Sequence, residues 1–350
     1  MFDRLRPGYY LLFALVAVQF VLVFPVGGAD PWFYLSTRGL TGTLLPAWSL
    51  FPLAWLLGIA LVLIRRRVDH PLRAMRRMIH ANRKWLGRCS ILAILLITFA
   101  RTVTSYKTAI PDLVPFWADP HLVAIDKAIF GTDPWRLTHA LIGPAGTVVL
   151  DRLYALWFAM TMISLGWFCF SRDPKLQLRG LLTSSFSWSL LGIVAATAFS
   201  SVGPCYYQHF YGNAHYAPLM ADLQATHQQE QLWAILTMDG LLNAFGTDRF
   251  GAGISAMPSV HVSVATIIFL ACKDHGKRRW LTLLSGFYAL AIFVGSVHLG
   301  WHYASDGLVG IVAVSLIWWA SGRFVDYLDA RDRERLAAAP APVRSLPATA

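Results

Sequence analysis

Charge is what this chain has least of. Only 14% of its 350 residues are Asp, Glu, Lys or Arg, where a soluble domain carries about 25%. Acidic residues are scarcer still, with 19 Asp and Glu against 30 Lys and Arg and a formal net charge of +11. Cysteine is confined to Cys89, Cys169, Cys205 and Cys272, too scattered for a disulfide framework or a CxxC metal site. These shortages exclude a soluble globule and a disulfide-stapled secreted domain. What is plentiful is apolar surface, since 56% of the residues are hydrophobic. It falls in eight runs, near 9–26, 44–64, 86–106, 151–170, 181–202, 257–272, 280–298 and 302–320. Most approach the ~20 residues that a spanning helix needs. The pattern predicts an all-α polytopic membrane helix bundle with about eight transmembrane helices. The run 257–272 is short, which predicts that one of its ends sits in a protein-lined cavity.

The excess positive charge invites a nucleic-acid reading, and its placement argues against one. Nine Lys and Arg fall within 65–88. Three more lie in 171–180 and four in 273–279, and both termini are basic. All these segments share one side if the spans alternate. That is the positive-inside pattern, and it predicts cytoplasmic termini with no nucleic-acid partner. Arg4 and Arg6 precede the first run, but no small-residue cleavage site precedes Asp30-Pro31. An uncleaved helix is expected rather than a signal peptide. On the outer side, 107–150 mixes prolines with Phe116, Trp117, Phe130 and Trp135, as short helices lying in the interface do. Residues 203–256 are rich in Tyr, His and Gln and predict a cap over the outer mouth. The expected organisation is two helices and a basic cytoplasmic loop over 1–88, a membrane core over 89–322, and an unstructured cytoplasmic tail over 323–350.

Two short segments carry the chemistry. One is Met257-Pro258-Ser259-Val260-His261, and the other is His298-Leu299-Gly300-Trp301-His302-Tyr303-Ala304-Ser305-Asp306. Ionisable groups at membrane-helix ends are costly and mark function. The topology puts both segments on the outer side. Pro258 fits a helix start, so His261 falls in a first turn whose free N–H groups favour phosphate. His302 and Asp306 are four apart, one helical turn, so a carboxylate can hold one imidazole nitrogen while the other faces a substrate. His298 completes an i, i+4, i+8 set that would suit a metal, but Gly300 interrupts it, and packing or substrate contact is the expectation for His298.

These segments resemble the type 2 phosphatidic acid phosphatase superfamily of membrane phosphatases and phosphotransferases. That family carries Pro-Ser-Gly-His and, about forty residues on, a His followed four residues later by Asp. Here Val260 replaces the family's Gly, Ser296 stands where the family has Arg, and the upstream Lys-x6-Arg-Pro element is missing. The departures resemble the branch containing inositol phosphorylceramide synthases, as do Tyr106-Lys107-x-x-Ile110-Pro111, Asp126 and the stretch Phe130 to Trp135. By resemblance His302 is the nucleophile that forms a phosphohistidine, Asp306 orients it, and His261 protonates the departing alkoxide and then activates the acceptor. No cofactor or metal is required by such a mechanism. The implied partners are a phospholipid or other lipid phosphoester and an acceptor, either water or a lipid or polar alcohol. Inositol-phosphate transfer to a lipid hydroxyl, as in sphingolipid metabolism, is the first expectation. A lipid or polyprenyl-diphosphate phosphatase is the alternative.

The missing arginine leaves phosphate without its expected cation. Arg101, Lys107 and Arg249 are the outer-side candidates, with Ser259 and His298 as further substrate contacts. A transporter also uses membrane His and Asp, but near the midplane on broken helices. Here they gather at one membrane face.

Overall fold

The computed structural model describes residues 6–23, 45–247, 253–276 and 278–338. Among them every regular element is helical. The first helices are α1 (Arg6–Val23), α2 (Leu45–Arg65), α3 (Pro71–Ala81) and α4 (Arg83–Leu113). The short helices α5 (Asp119–Phe130) and α6 (Pro134–Leu141) are followed by α7 (Pro144–Ala155), α8 (Trp157–Cys169) and α9 (Pro174–Ser189). The cap is α10 (Tyr207–Tyr211), α11 (Ala217–Gln229) and α12 (Trp233–Ala244). Then come α13 (Val260–His275), α14 (Arg279–His298) and α15 (Ala304–Ala338).

Proline sets many starts. Helices α3, α5, α6, α7 and α9 each carry Pro in their first two positions, where the missing N–H costs nothing. Asp173 caps α9 by accepting from the Lys175 N–H at 2.9 Å. Gly131, at φ 73°, ends α5 in a left-handed conformation that glycine adopts without strain.

Five helices are long and apolar enough to cross a membrane, over Arg83–Leu113, Pro144–Cys169, Pro174–Ala198, Arg279–His298 and Ala304–Arg335. Two shorter apolar helices, Arg6–Leu22 and Leu56–Arg65, match the two N-terminal runs. Helix α13 has only 16 residues, so it starts inside the bundle, as its short apolar run predicts. The N-terminal helix is no loose addition. Leu12 is fully buried in one core with Leu92, Leu178 and Trp318, and the Tyr9 hydroxyl donates to Gln177 Oε1 at 2.6 Å.

The C-terminal expectation needs correction. Residues 323–338 continue α15 rather than beginning an unstructured tail. The reason is a polar latch between α9 and α15: Lys175 reaches Asp326 at 2.8 Å and Asp329 at 3.0 Å, and Arg333 reaches Asp329 at 2.6 Å. An i, i+4 pair and a cross-helix cation hold turns that composition alone leaves undecided. Residues 339–350 lie outside the described residues.

A second core joins the cap to the bundle through Leu219, Leu223, Leu232, Val262 and Tyr303. Helices α13, α14 and α15 pack on one another, which brings the two motifs together. Gly310 is what lets α15 approach. A Cβ there would lie 2.8 Å from Ser263 Oγ and 2.9 Å from the Ser259 carbonyl.

Candidate active site

His302 and His261 face each other, with His302 Nε2 3.4 Å from His261 Nδ1. On the other side of its ring, His302 Nδ1 lies 3.4 Å from Asp306 Oδ2. A carboxylate at Nδ1 favours the tautomer with hydrogen there, which leaves the Nε2 lone pair free. Asp306 is fully buried and His302 is 6% exposed. Asp306 Oδ2 also accepts from the Tyr303 N–H at 3.1 Å, so the carboxylate is fixed from two directions. The His261 ring packs between Tyr154, centroids 5.0 Å apart, and Trp157, 4.1 Å apart. The Trp157 indole N–H donates to the His261 carbonyl at 3.0 Å.

The turns that hold this pair are over-determined. The Trp301 and His302 N–H groups both donate to the Ser296 carbonyl at 3.0 Å. Ser296, where an arginine was expected, turns its hydroxyl onto the Phe293 carbonyl at 2.8 Å. The incoming loop is pinned by Ser201, whose Oγ accepts from the Met257 N–H at 2.9 Å. Ser259, expected at the substrate, is fully buried and caps α13. Its Oγ accepts from the Val262 N–H at 3.4 Å, and its own N–H donates to the Asp306 carbonyl at 3.2 Å. The two motifs are thus joined through backbone as well as side chains.

Two carboxylates outside the motifs organise the whole mouth. Asp119 and Asp126 stand seven residues apart on α5, two turns and so one face. Asp126 accepts from the Ala304 N–H at 2.7 Å and the Ser305 N–H at 2.8 Å. It caps the helix that carries Asp306 from a different part of the chain. Asp119 accepts from the Gly203 N–H at 2.8 Å, the Val202 N–H at 3.0 Å and the Tyr303 and Tyr211 hydroxyls at 2.9 and 3.0 Å. Burial raises both carboxyls above the ordinary range, and these donors offset that only in part. The N-terminus of α15 thereby already holds a carboxylate, while that of α13, beside His261, is capped by Ser259.

The remaining candidates are divided. Lys107, in the C-terminal part of α4, lies within electrostatic reach of His261. The loop entering α13 crosses it closely, since a Cβ on Gly253 would come within 2.7 Å of the Lys107 carbonyl oxygen. Arg101 is buried on the same helix, six residues and about 9 Å deeper. Arg249 lies outside the described residues. His298 is turned away from the pair. Its Nε2 is 2.8 Å from Thr147 Oγ1, its Nδ1 is 3.1 Å from Thr138 Oγ1, and its ring lies 4.1 Å from that of His139. Both ring nitrogens are used, so it has no ring atom left for a substrate. Among the described residues no three His, Cys, Asp or Glu side chains gather as a metal site.

A model of the PAP2 superfamily matches residues 121–320. The chain belongs to the PAP2 superfamily. No curated protein and no solved structure matches it. Its long apolar helices make this an integral membrane protein, membership makes it one of a phosphatase and phosphotransferase family, and a lipid phosphoester is a substrate class that fits both. The matched region contains His261, His302, Asp306, Asp126 and the cap, but neither α4 nor Lys107.

The sequence offered one weak signal for Asp126, which sits in the stretch similar to the inositol phosphorylceramide synthases. It offered none for Asp119, whose four donors come from the 202–211 and 303 loops and become neighbours only in the folded chain.

Proposed function

We propose that this PAP2 protein transfers a phosphoryl-containing group from a lipid phosphoester through a phosphohistidine on His302. The observation that carries the proposal is the aligned triplet Asp306–His302–His261, with both ring nitrogens of His302 addressed at 3.4 Å. In the first step the Nε2 lone pair attacks phosphorus, the bond from phosphorus to the alcohol oxygen breaks, and protonated His261 gives its proton to that oxygen. In the second, an acceptor hydroxyl gives its proton to His261 as its oxygen attacks phosphorus. The phosphorus–nitrogen bond breaks and returns its electron pair to Nε2. The rings must part by the width of a phosphoryl group when substrate enters.

The charge of the group in flight needs fixed donors in a partly dry site. The N-terminal turn of α13 supplies dipoles and Lys107 supplies an ammonium. With water as acceptor the reaction is a phosphatase reaction. With a lipid hydroxyl it is a head-group transfer, of which inositol-phosphate transfer is the version suggested by the similarity of the motifs. The asymmetry of basic residues assigns the site to the side away from the cytoplasm, the periplasmic face if the host membrane is a bacterial inner membrane.

The test uses purified protein with radiolabelled phosphoesters, assayed with and without acceptor alcohols. His302→Ala should lose about 10⁴-fold or more in turnover, and Asp306→Asn should retain more than that variant. Denatured wild-type protein quenched during turnover should carry acid-labile, base-stable phosphate on His302. Near-normal turnover in His302→Ala would reject the mechanism.

A further inference from the structure

A cavity of about 300 Å³ opens against His261. It touches neither His302 nor Asp306, and is walled by Tyr154, Trp157, Phe158, Trp233 and Trp301; its polar groups are Thr237 and Asp151, the latter engaged by Arg152 and by the Trp233 and Ala234 N–H groups. His261 is the group that serves the alcohol oxygen in both half-reactions. The alcohol therefore has to approach from the His261 side, which is where the cavity lies. Its walls are those of an apolar guest.

Two polar atoms in these walls have no hydrogen-bond partner, the Tyr154 hydroxyl and the Trp301 indole nitrogen. Tyr154 is only 8% exposed, and an orphaned donor in a buried ring calls for an acceptor. Both atoms are closed off in this conformation, so a guest oxygen meets them only when the two rings turn to open them.

A second cavity, of about 110 Å³, shares Trp157 and Phe158 with the first. It lies deeper, among Phe99 and Ala100 of α4, Thr161 and Leu165 of α8, and Trp188 of α9. Leu165 is eight residues past Trp157, about 12 Å further along the span. The Trp157 ring links the levels, packing 4.1 Å from His261 above and 6.3 Å from Trp188 below. Phe158 is 56% exposed on the outer surface of the bundle, at the lateral edge of both cavities.

We infer that the two cavities form one subsite for the alcohol half of the substrate, a single long hydrocarbon chain. The hydroxyl or ester oxygen lies at His261, Tyr154 and Trp301. The chain crosses Trp157 and Phe158 and ends between α4, α8 and α9. The inference rests on the phosphotransfer reading for the role of His261, and it assigns a lipid, not a free polyol, to the His261 side of the phosphorus.

The test has two arms on the full chain in lipid nanodiscs. In the first, hexadecyl phosphate bearing a terminal diazirine is photolysed on the protein. Label should fall within 96–104, 158–165 and 184–188, and unlabelled hexadecyl phosphate should remove it while butyl phosphate does not. Label spread over the lipid-facing surface and not competed would show bulk lipid only, and would overturn the subsite. In the second, Ala100→Leu fills the lower cavity, and the ratio of kcat/KM for hexadecyl to butyl phosphate should fall at least tenfold. An unchanged ratio would also overturn it. If wild-type protein cleaves neither ester, the phosphotransfer reading fails, while the labelling arm, which needs no turnover, still decides the chain site.

Discussion

Asp126 offers the sharpest test of how the site is built. Its carboxylate holds the N-terminus of α15 by two short bonds, 2.7 and 2.8 Å, to the Ala304 and Ser305 N–H groups. Hydrogen bonds to a charged partner contribute roughly 1.5–3 kcal/mol each, and a negative charge adds favourably to the helix dipole there. Asp126→Asn keeps one acceptor oxygen and turns an NH2 group toward a second N–H. One charge-assisted bond and the dipole term are lost, about 2–4 kcal/mol together. Asp126→Ala loses both bonds and leaves two buried donors open, and so should cost more. At about 2–4 °C per kcal/mol for a large domain, the asparagine variant should melt roughly 4–16 °C lower in detergent. Turnover should fall further than stability. Asp306 sits two residues into the helix that Asp126 caps, and a displacement of about 1 Å costs on the order of 10²-fold in rate. The assays are thermal unfolding followed by intrinsic fluorescence, and phosphoester turnover well below the lowered midpoint. An asparagine variant with wild-type midpoint and wild-type turnover would refute the claim that this carboxylate positions the catalytic helix.

Three further outcomes are expected. Gly203→Ala should destabilise the protein and lower turnover, because Gly203 has φ 87° and a Cβ there would stand 2.5 Å from the Trp301 carbonyl oxygen. A melting curve like that of the wild type would contradict this close approach. Lys107→Gln should lower kcat/KM by about 10²-fold, the scale of losing a transition-state donor, with little change in melting temperature; unchanged kinetics would remove Lys107 from the phosphate site. A reporter fused after Lys277 should read cytoplasmic and one inserted near Asn213 external, since the basic segments fix the inner side. The reverse pattern would invert the whole assignment.

Composition and periodicity determined the broad answer. Scarce charge and long apolar runs require helices in a membrane, because an unpaired backbone group in lipid costs several kcal/mol and helices pair their own. The local spacing of His302 and Asp306 was equally legible, since four residues on a helix are one turn. So was the short α13, whose run of apolar residues is too brief to span. Tertiary structure decided what distance along the chain conceals. His298 was expected either to pack or to touch substrate, and Thr138 and Thr147, 160 and 151 residues earlier, claim its ring. Ser259 looked like a substrate contact and is a helix cap. The tail at 323–338 read as unstructured because its stabilising partner, Lys175, lies some 150 residues earlier. Asp119 and Asp126 were the hardest to see. A carboxylate that satisfies backbone N–H groups 80 to 180 residues away leaves no periodic trace in sequence, because its partners are main chain and carry no residue identity.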